Sequence, residues 1–209
     1  MIRAQTPPAA RSARPLAGLA VALALAVAVA GCGGKSEPQL ANDALNAGIA
    51  AYTAGNIEEA KKQYNECLKH DPTNKVCHYD LGLIAQTAGD TTTAENEYRL
   101  SLSADPNYTP ALFNLAILRA GINDSTEAIA LYRRYVAILP NDAGGHLNLG
   151  ILLIATGDKA NGEKEIATAI QLDPNISVPQ SSAPPVQSAA PSAAPSDTPR
   201  VTPKLSPST

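Results

Sequence analysis

One interval governs this chain. A proline returns at Pro72, Pro106, Pro140 and Pro174, every 34 residues, and the chain between them divides without gaps into units 41–74, 75–108, 109–142 and 143–176. The eighth residue of each unit is small: Gly48, Gly82, Ala116 and Gly150. So is the twentieth: Ala60, Ala94, Ala128 and Gly162. The twenty-fourth (Tyr64, Tyr98, Tyr132, Ile166) and twenty-eighth (Leu68, Leu102, Val136, Ile170) are bulky. A fixed period of this length marks a stacked helical array, in which no unit buries its apolar face alone. Two small places let helix backbones approach closely, and the bulky places fill the space beside them. The composition agrees, with no Trp, one Phe and much of the apolar fraction in Ala.

Each unit reads as two helices, with segments such as HYDLGLIAQT (78–87) in the first and IEEAKKQYNECLKH (57–70) in the second. Gly55, Gly89, Asn123 and Gly157 stand between them, where a helix C-terminus favours a left-handed residue. The proline ends the second helix, because it lacks the N–H needed to continue it and holds the preceding residue extended. These residues resemble the tetratricopeptide repeat, and the resemblance covers 41–176. It implies an all-α solenoid of four helix-turn-helix repeats. Three features depart from it. Tyr135 occupies a place that the family keeps small, which predicts a tilted or repacked second helix in the third unit. Gly162 is expected to weaken the last helix by roughly 0.5–1 kcal/mol against Ala. No solvating helix follows the fourth unit, so the last helix, with Lys159, Asn161, Glu163 and Glu165, must meet water itself.

The ends differ from the array. The first 32 residues carry Arg3, Arg11 and Arg14 and no acid, and residues 16–30 are wholly apolar. That run is short for a membrane span of about 20 residues and reads as a secretory signal. Val29-Ala30-Gly31-Cys32 resembles the bacterial lipobox, which implies a signal over 1–31, a lipid on Cys32 and a tether over 32–40. An ordinary signal with a nearby Cys and an uncleaved anchor are the alternatives. Residues 177–209 hold eight Pro, eight Ser and no aromatic residue, a composition expected to stay disordered. The expected location is the cell membrane, lipid-anchored, on the extracytoplasmic face.

No catalytic constellation is evident, and no enzyme activity, metal or cofactor is expected. His70, His78 and His146 are the histidines; the last two share a place near the start of a first helix, where packing accounts for them. There is no HExxH, phosphate loop or Cys-x-x-Cys. The net charge of −3, more negative still without the basic first segment, leaves no Lys/Arg surplus to replace phosphate counterions and argues against nucleic acid. Cys67 and Cys77 are an even pair in a chain read as exported, hence a disulfide candidate. The alternative is two small buried residues, which Ser101 and Ala169 at the place of Cys67 in other units favour.

The resemblance implies that first helices line a concave groove through the fifth, sixth, ninth and twelfth residue of each unit. The fifth are Leu45, Tyr79, Phe113 and Leu147; the ninth are Ile49, Leu83, Ile117 and Ile151; the twelfth are Tyr52, Gln86, Ala120 and Ile154. The sixth, Asn46, Asp80, Asn114 and Asn148, form a polar row that either bonds a peptide backbone or is merely solvated. Leu45 and Ile49 stand where one subclass puts the Lys and Asn of a carboxylate clamp, so that mode of recognition is not expected. The expected function is a scaffold holding a protein or peptide partner, with Tyr79 and Phe113 as aromatic anchors and Tyr79→Ala expected to cost little stability if its ring faces the groove. The alternative is a self-associating envelope protein that buries the groove or the last helix between copies.

Overall fold

The computed structural model describes residues 34–179. The signal, Cys32 and the chain beyond 179 lie outside the described residues. Eight helices follow one another: α1 Glu37–Thr53, α2 Ile57–His70, α3 Lys75–Thr87, α4 Thr91–Ala104, α5 Thr109–Gly121, α6 Ser125–Ile138, α7 Ala143–Ala155 and α8 Lys159–Leu172. No strand occurs among the described residues. The helices pair as α1 with α2, α3 with α4, α5 with α6 and α7 with α8, and each pair packs on the next. This is the all-α helical array implied by the period.

Local chemistry sets each boundary. Gly55, Gly89, Gly157 and Asn123 all have positive φ, between 62° and 93°, and turn the chain from first helix to second. Asp90, Asp124 and Asp142 then accept hydrogen bonds from the first-turn backbone N–H groups of α4, α6 and α7, and Asn74 does so for α3. The recurring Asp-Pro has its own role. Asp71, Asp105 and Asp173 accept the N–H two residues on, at 3.0–3.2 Å, closing an Asx turn around the proline. One boundary differs from the sequence reading. α1 begins at Glu37, so residues 37–40 are helical and not tether. Ser36 N–H donates to the Gln39 side chain at 2.9 Å, Pro38 suits the first turn, and Glu37 pairs with His70 at 2.6 Å.

Within each pair the small places bring backbones together. A Cβ on Gly48 or Gly82 would meet the ring of Tyr64 or Tyr98 at 2.6 or 2.7 Å. In the last pair it would meet backbone: on Gly162 it would stand 2.6 Å from Gly150 O. Gly162 is therefore a packing requirement of α7 against α8, which overturns its reading as a weak point.

Between pairs, one seam recurs three times. It is formed by the twenty-seventh residue of a unit and the third of the next. Cys67 meets Cys77 and Tyr135 meets Gly145, and Ser101 and Ala111 hold the same places in between. All of these residues are buried. The sulfurs of Cys67 and Cys77 are bonded, with Cα atoms 6.6 Å apart. The bulk of Tyr135 is taken up by Gly145, where a Cβ would stand 2.6 Å from the ring. The repacking expected from Tyr135 thus lies in α7, through a compensating glycine.

The second and third units are also joined by charge. Arg119 contacts Glu95 at 2.9 Å, Glu127 at 2.8 Å and Asp124, and Arg99 contacts Glu95 at 2.9 Å and Glu127 at 2.8 Å. The Arg119 side chain is 16% exposed, so these pairs are less screened than ordinary surface ones.

Candidate functional site

Exposure divides the first helices into two stripes. The fifth residues, expected in the groove, are core. Tyr79 and Phe113 are each 1% exposed, Leu147 3% and Leu45 8%. The Tyr79 ring centroid lies 5.7 Å from Tyr98 and 5.6 Å from Tyr108; that of Phe113 lies 5.6 Å from Tyr132 and 5.0 Å from Tyr135. The reason is helical phase. The fifth residue is one turn before the eighth, which faces the paired helix at close range. Tyr79 and Phe113 therefore hold helices together and present no ring to a partner. Ile117, 4% exposed, joins them in the core.

The sixth residues are also partly committed. Asn114, 8% exposed, donates to the Tyr79 hydroxyl at 2.7 Å. Asn148 hydrogen-bonds the Tyr132 hydroxyl, which burial nonetheless pushes above the ordinary tyrosine range. Asn46 is exposed and Asp80 half-buried. The polar row expected to bind a peptide backbone thus gives Asn114 and Asn148 to internal tyrosines.

What remains accessible is a narrower stripe. Ile49 and Tyr52 on α1, Leu83 on α3 and Ile151 on α7 are half-buried, and Ile154 is 38% exposed. Gln86 is half-buried and accepts from the Tyr98 hydroxyl at 2.5 Å. The third unit contributes only Ala120 at its twelfth place. Asp80 is the one acidic or basic residue among the sixth, ninth and twelfth residues. Such a surface offers apolar contact, an occasional amide and almost no charge.

The histidines carry an arrangement that packing alone does not describe. His78 Nε2 donates to Pro72 O at 3.0 Å and Nδ1 faces Glu97 at 2.8 Å. His146 repeats this with Pro140 O at 3.0 Å and Glu165 at 2.6 Å. Each ring ties the proline turn before its unit to the second helix of that unit. The third unit puts Leu112 and Leu131 at the same two places. The signal was present in the sequence: His at the fourth place occurs with Glu at the twenty-third, in the same two units. Both nitrogens of each ring are taken up by protein acceptors, and no group of three metal-ligating side chains occurs among the described residues.

This arrangement has a pH consequence. The hydrogen bond that the ring donates to Glu97 raises the His78 pKa above its ordinary value, against the opposing effect of burial. The charged groups facing the ring are Glu97 and Asp71. A pKa higher in the folded than in the unfolded chain means stability that is complete below the unfolded value of about 6.5 and lost as pH rises through the folded one. Thermal melts between pH 5.5 and 8.5 should therefore show the midpoint falling as pH rises. Glu97→Gln should flatten the His78 share of that slope; an equally steep slope in that variant would reject the clamp.

The end of the array is unlike its seams. Ile170 is 44% and Leu172 37% exposed, whereas Leu68, Leu102 and Val136, at the place of Ile170, pack against core. No described helix is long and apolar enough to cross a membrane.

Comparison with known proteins agrees with the geometry. Family models of the tetratricopeptide repeat match residues 45–109, 79–143 and 143–176. No curated protein matches the chain. Among solved structures, MamA (residues 41 to the end) from Desulfovibrio magneticus RS-1 is 22% identical, with a TM-score of 0.60 over 66% of this chain and 78% of that one. PilF of Pseudomonas aeruginosa is 22% identical, with a TM-score of 0.59 over 68% and 65%. YrrB, described as a TPR protein with an unusual peptide-binding site, is 19% identical, with a TM-score of 0.56 over 65% and 70%. At these identities the likeness is one of fold.

Proposed function

Because the chain belongs to the tetratricopeptide repeat family, we propose that it is a scaffold that holds a protein or peptide partner along the accessible stripe of its first helices. The observation that carries this is the run of half-buried Ile49, Tyr52, Leu83 and Ile151, apolar and almost uncharged, along successive first helices. Isolated exposed apolar residues need no explanation, but a periodic line of them on successive helices does. The fitting partner is an extended or helical segment with apolar side chains at regular spacing. YrrB, of the same fold, is described as carrying a peptide-binding site, which supports the class of ligand and nothing finer.

The scaffold is proposed to work at the extracytoplasmic face of the membrane, anchored by a lipid on Cys32. The support is the basic head, the short apolar run and Val29-Ala30-Gly31-Cys32. Two acyl chains there would suffice for stable anchoring, at about 0.8 kcal/mol per buried CH₂.

One experiment addresses both. Cross-linked membranes bearing the full chain should yield a captured partner. Leu83→Asp should reduce capture about tenfold or more while circular dichroism stays helical. Capture at wild-type level by a folded Leu83→Asp protein rejects the stripe. In the same membranes Cys32→Ala should abolish lipid labelling, and unchanged labelling rejects the anchor.

A second reading rests on Ile154, Ile170 and Leu172 at the open end of α7 and α8. Two copies meeting there would cover the face that every earlier unit covers with its successor. A concentration-dependent dimer that Ile170→Lys abolishes would favour it; a monomer at all concentrations removes it.

A further inference from the structure

Most of the buried apolar residues fall into two clusters. One, with Leu45, Tyr64, Cys67, Cys77 and Ile84, belongs to the first unit and the face of α3 that receives it. The other runs from Tyr79 to Leu153 through the remaining units. Among the described residues the first unit thus has a neighbouring unit on one side and a small core largely its own, the kind of element that opens separately from a repeat array. It is also the element held by a covalent bond. Cys67 on α2 and Cys77 on α3 are bonded across the first seam, whereas the equivalent places hold Ser101 with Ala111 and Tyr135 with Gly145. Ser101 and Ala111 are both fully buried at those places, so the packing itself does not require sulfur.

We propose that the Cys67–Cys77 bond is a redox-sensitive latch on the first repeat. Closed, it keeps α1 and α2 docked on α3. Reduced, it lets this pair undock while the other six helices stay folded. Both cysteines are 0% exposed, so a reductant reaches the bond only in molecules whose first seam has already opened. The reductant is a dithiol. Its thiolate attacks one sulfur, giving a mixed disulfide and releasing the other cysteine as thiolate. Its second thiol then displaces the first cysteine, so that the pair gains two electrons and two protons and the dithiol leaves as a disulfide. Undocking carries Ile49 and Tyr52 away from the apolar stripe, which couples the latch to the partner surface without depending on it.

Closing a loop of this length is worth about a hundredfold in the opening equilibrium. Hydrogen exchange of the full chain, with and without dithiothreitol, reads that directly. Reduction, verified by thiol alkylation, should speed exchange of the α1 and α2 amides about a hundredfold and leave α5 to α8 unchanged. The double variant Cys67→Ser, Cys77→Ala copies the second seam. It should exchange like the reduced protein and ignore dithiothreitol. Protection in α1 and α2 that survives reduction, or that the double variant retains in full, overturns the latch. So does loss of protection in all eight helices together.

Discussion

Phe113→Ala should lower the free energy of unfolding by about 3–5 kcal/mol, the range for removing a buried aromatic ring. The ring is 1% exposed and lies 5.0 Å from Tyr135 and 5.6 Å from Tyr132, the latter edge to face at 82°. Removing it deprives two tyrosines of their neighbour at the seam that also holds Gly145. Reading this residue as a partner anchor makes lost capture the main expectation instead. Urea melts followed by circular dichroism separate the two. The structure requires a lower midpoint, with protection lost first in the third and fourth units, since each unit contacts only its neighbours. A Phe113→Ala protein that melts like the wild type would place the ring at the surface. Tyr79→Ala should behave in the same way, with the added cost of leaving Asn114, its partner at 2.7 Å, buried without it.

Gly162→Ala is the second large effect, and here structure and propensity oppose each other. In an exposed helix the change would stabilise by up to about 1 kcal/mol. At this place the new Cβ would stand 2.6 Å from Gly150 O and 2.9 Å from Ile154 N. Neither is the tip of a flexible side chain; both are backbone, and α7 and α8 must separate to admit the methyl. Overpacking of this kind costs about 1–3 kcal/mol, so the net result is a less stable last repeat. The contact is reciprocal: a Cβ on Gly150 would stand 2.8 Å from Gly162 O. A rise in melting temperature for Gly162→Ala would show that the helix pair has room that the structure denies.

Much of this protein is legible in its sequence because the information is local and periodic. The spacing of Pro72, Pro106, Pro140 and Pro174 carries the unit length. The turns at Gly55, Gly89, Asn123 and Gly157 follow from the one backbone conformation that tolerates them, and each has positive φ. Helix content and order follow from these stops. Sequence also shows which residues are candidates for the surface that binds, but not which of them reach it. Neighbouring positions on a helix differ by about a third of a turn, and the packing of the next helix pair decides which side closes. That is why Tyr79, Phe113, Ile117 and Leu147 are core while Leu83 and Ile151 stay open. The seams are likewise tertiary. Cys67 and Cys77 could be a bridge or two packed thiols until α2 and α3 set their Cα atoms 6.6 Å apart. Gly162 was a weak helix residue until α7 came against it, and Tyr135 a misfit until Gly145 stood opposite. In each case a residue's role depends on what lies across an interface 35 or fewer residues away along the chain, and only the packed array puts the two sides together.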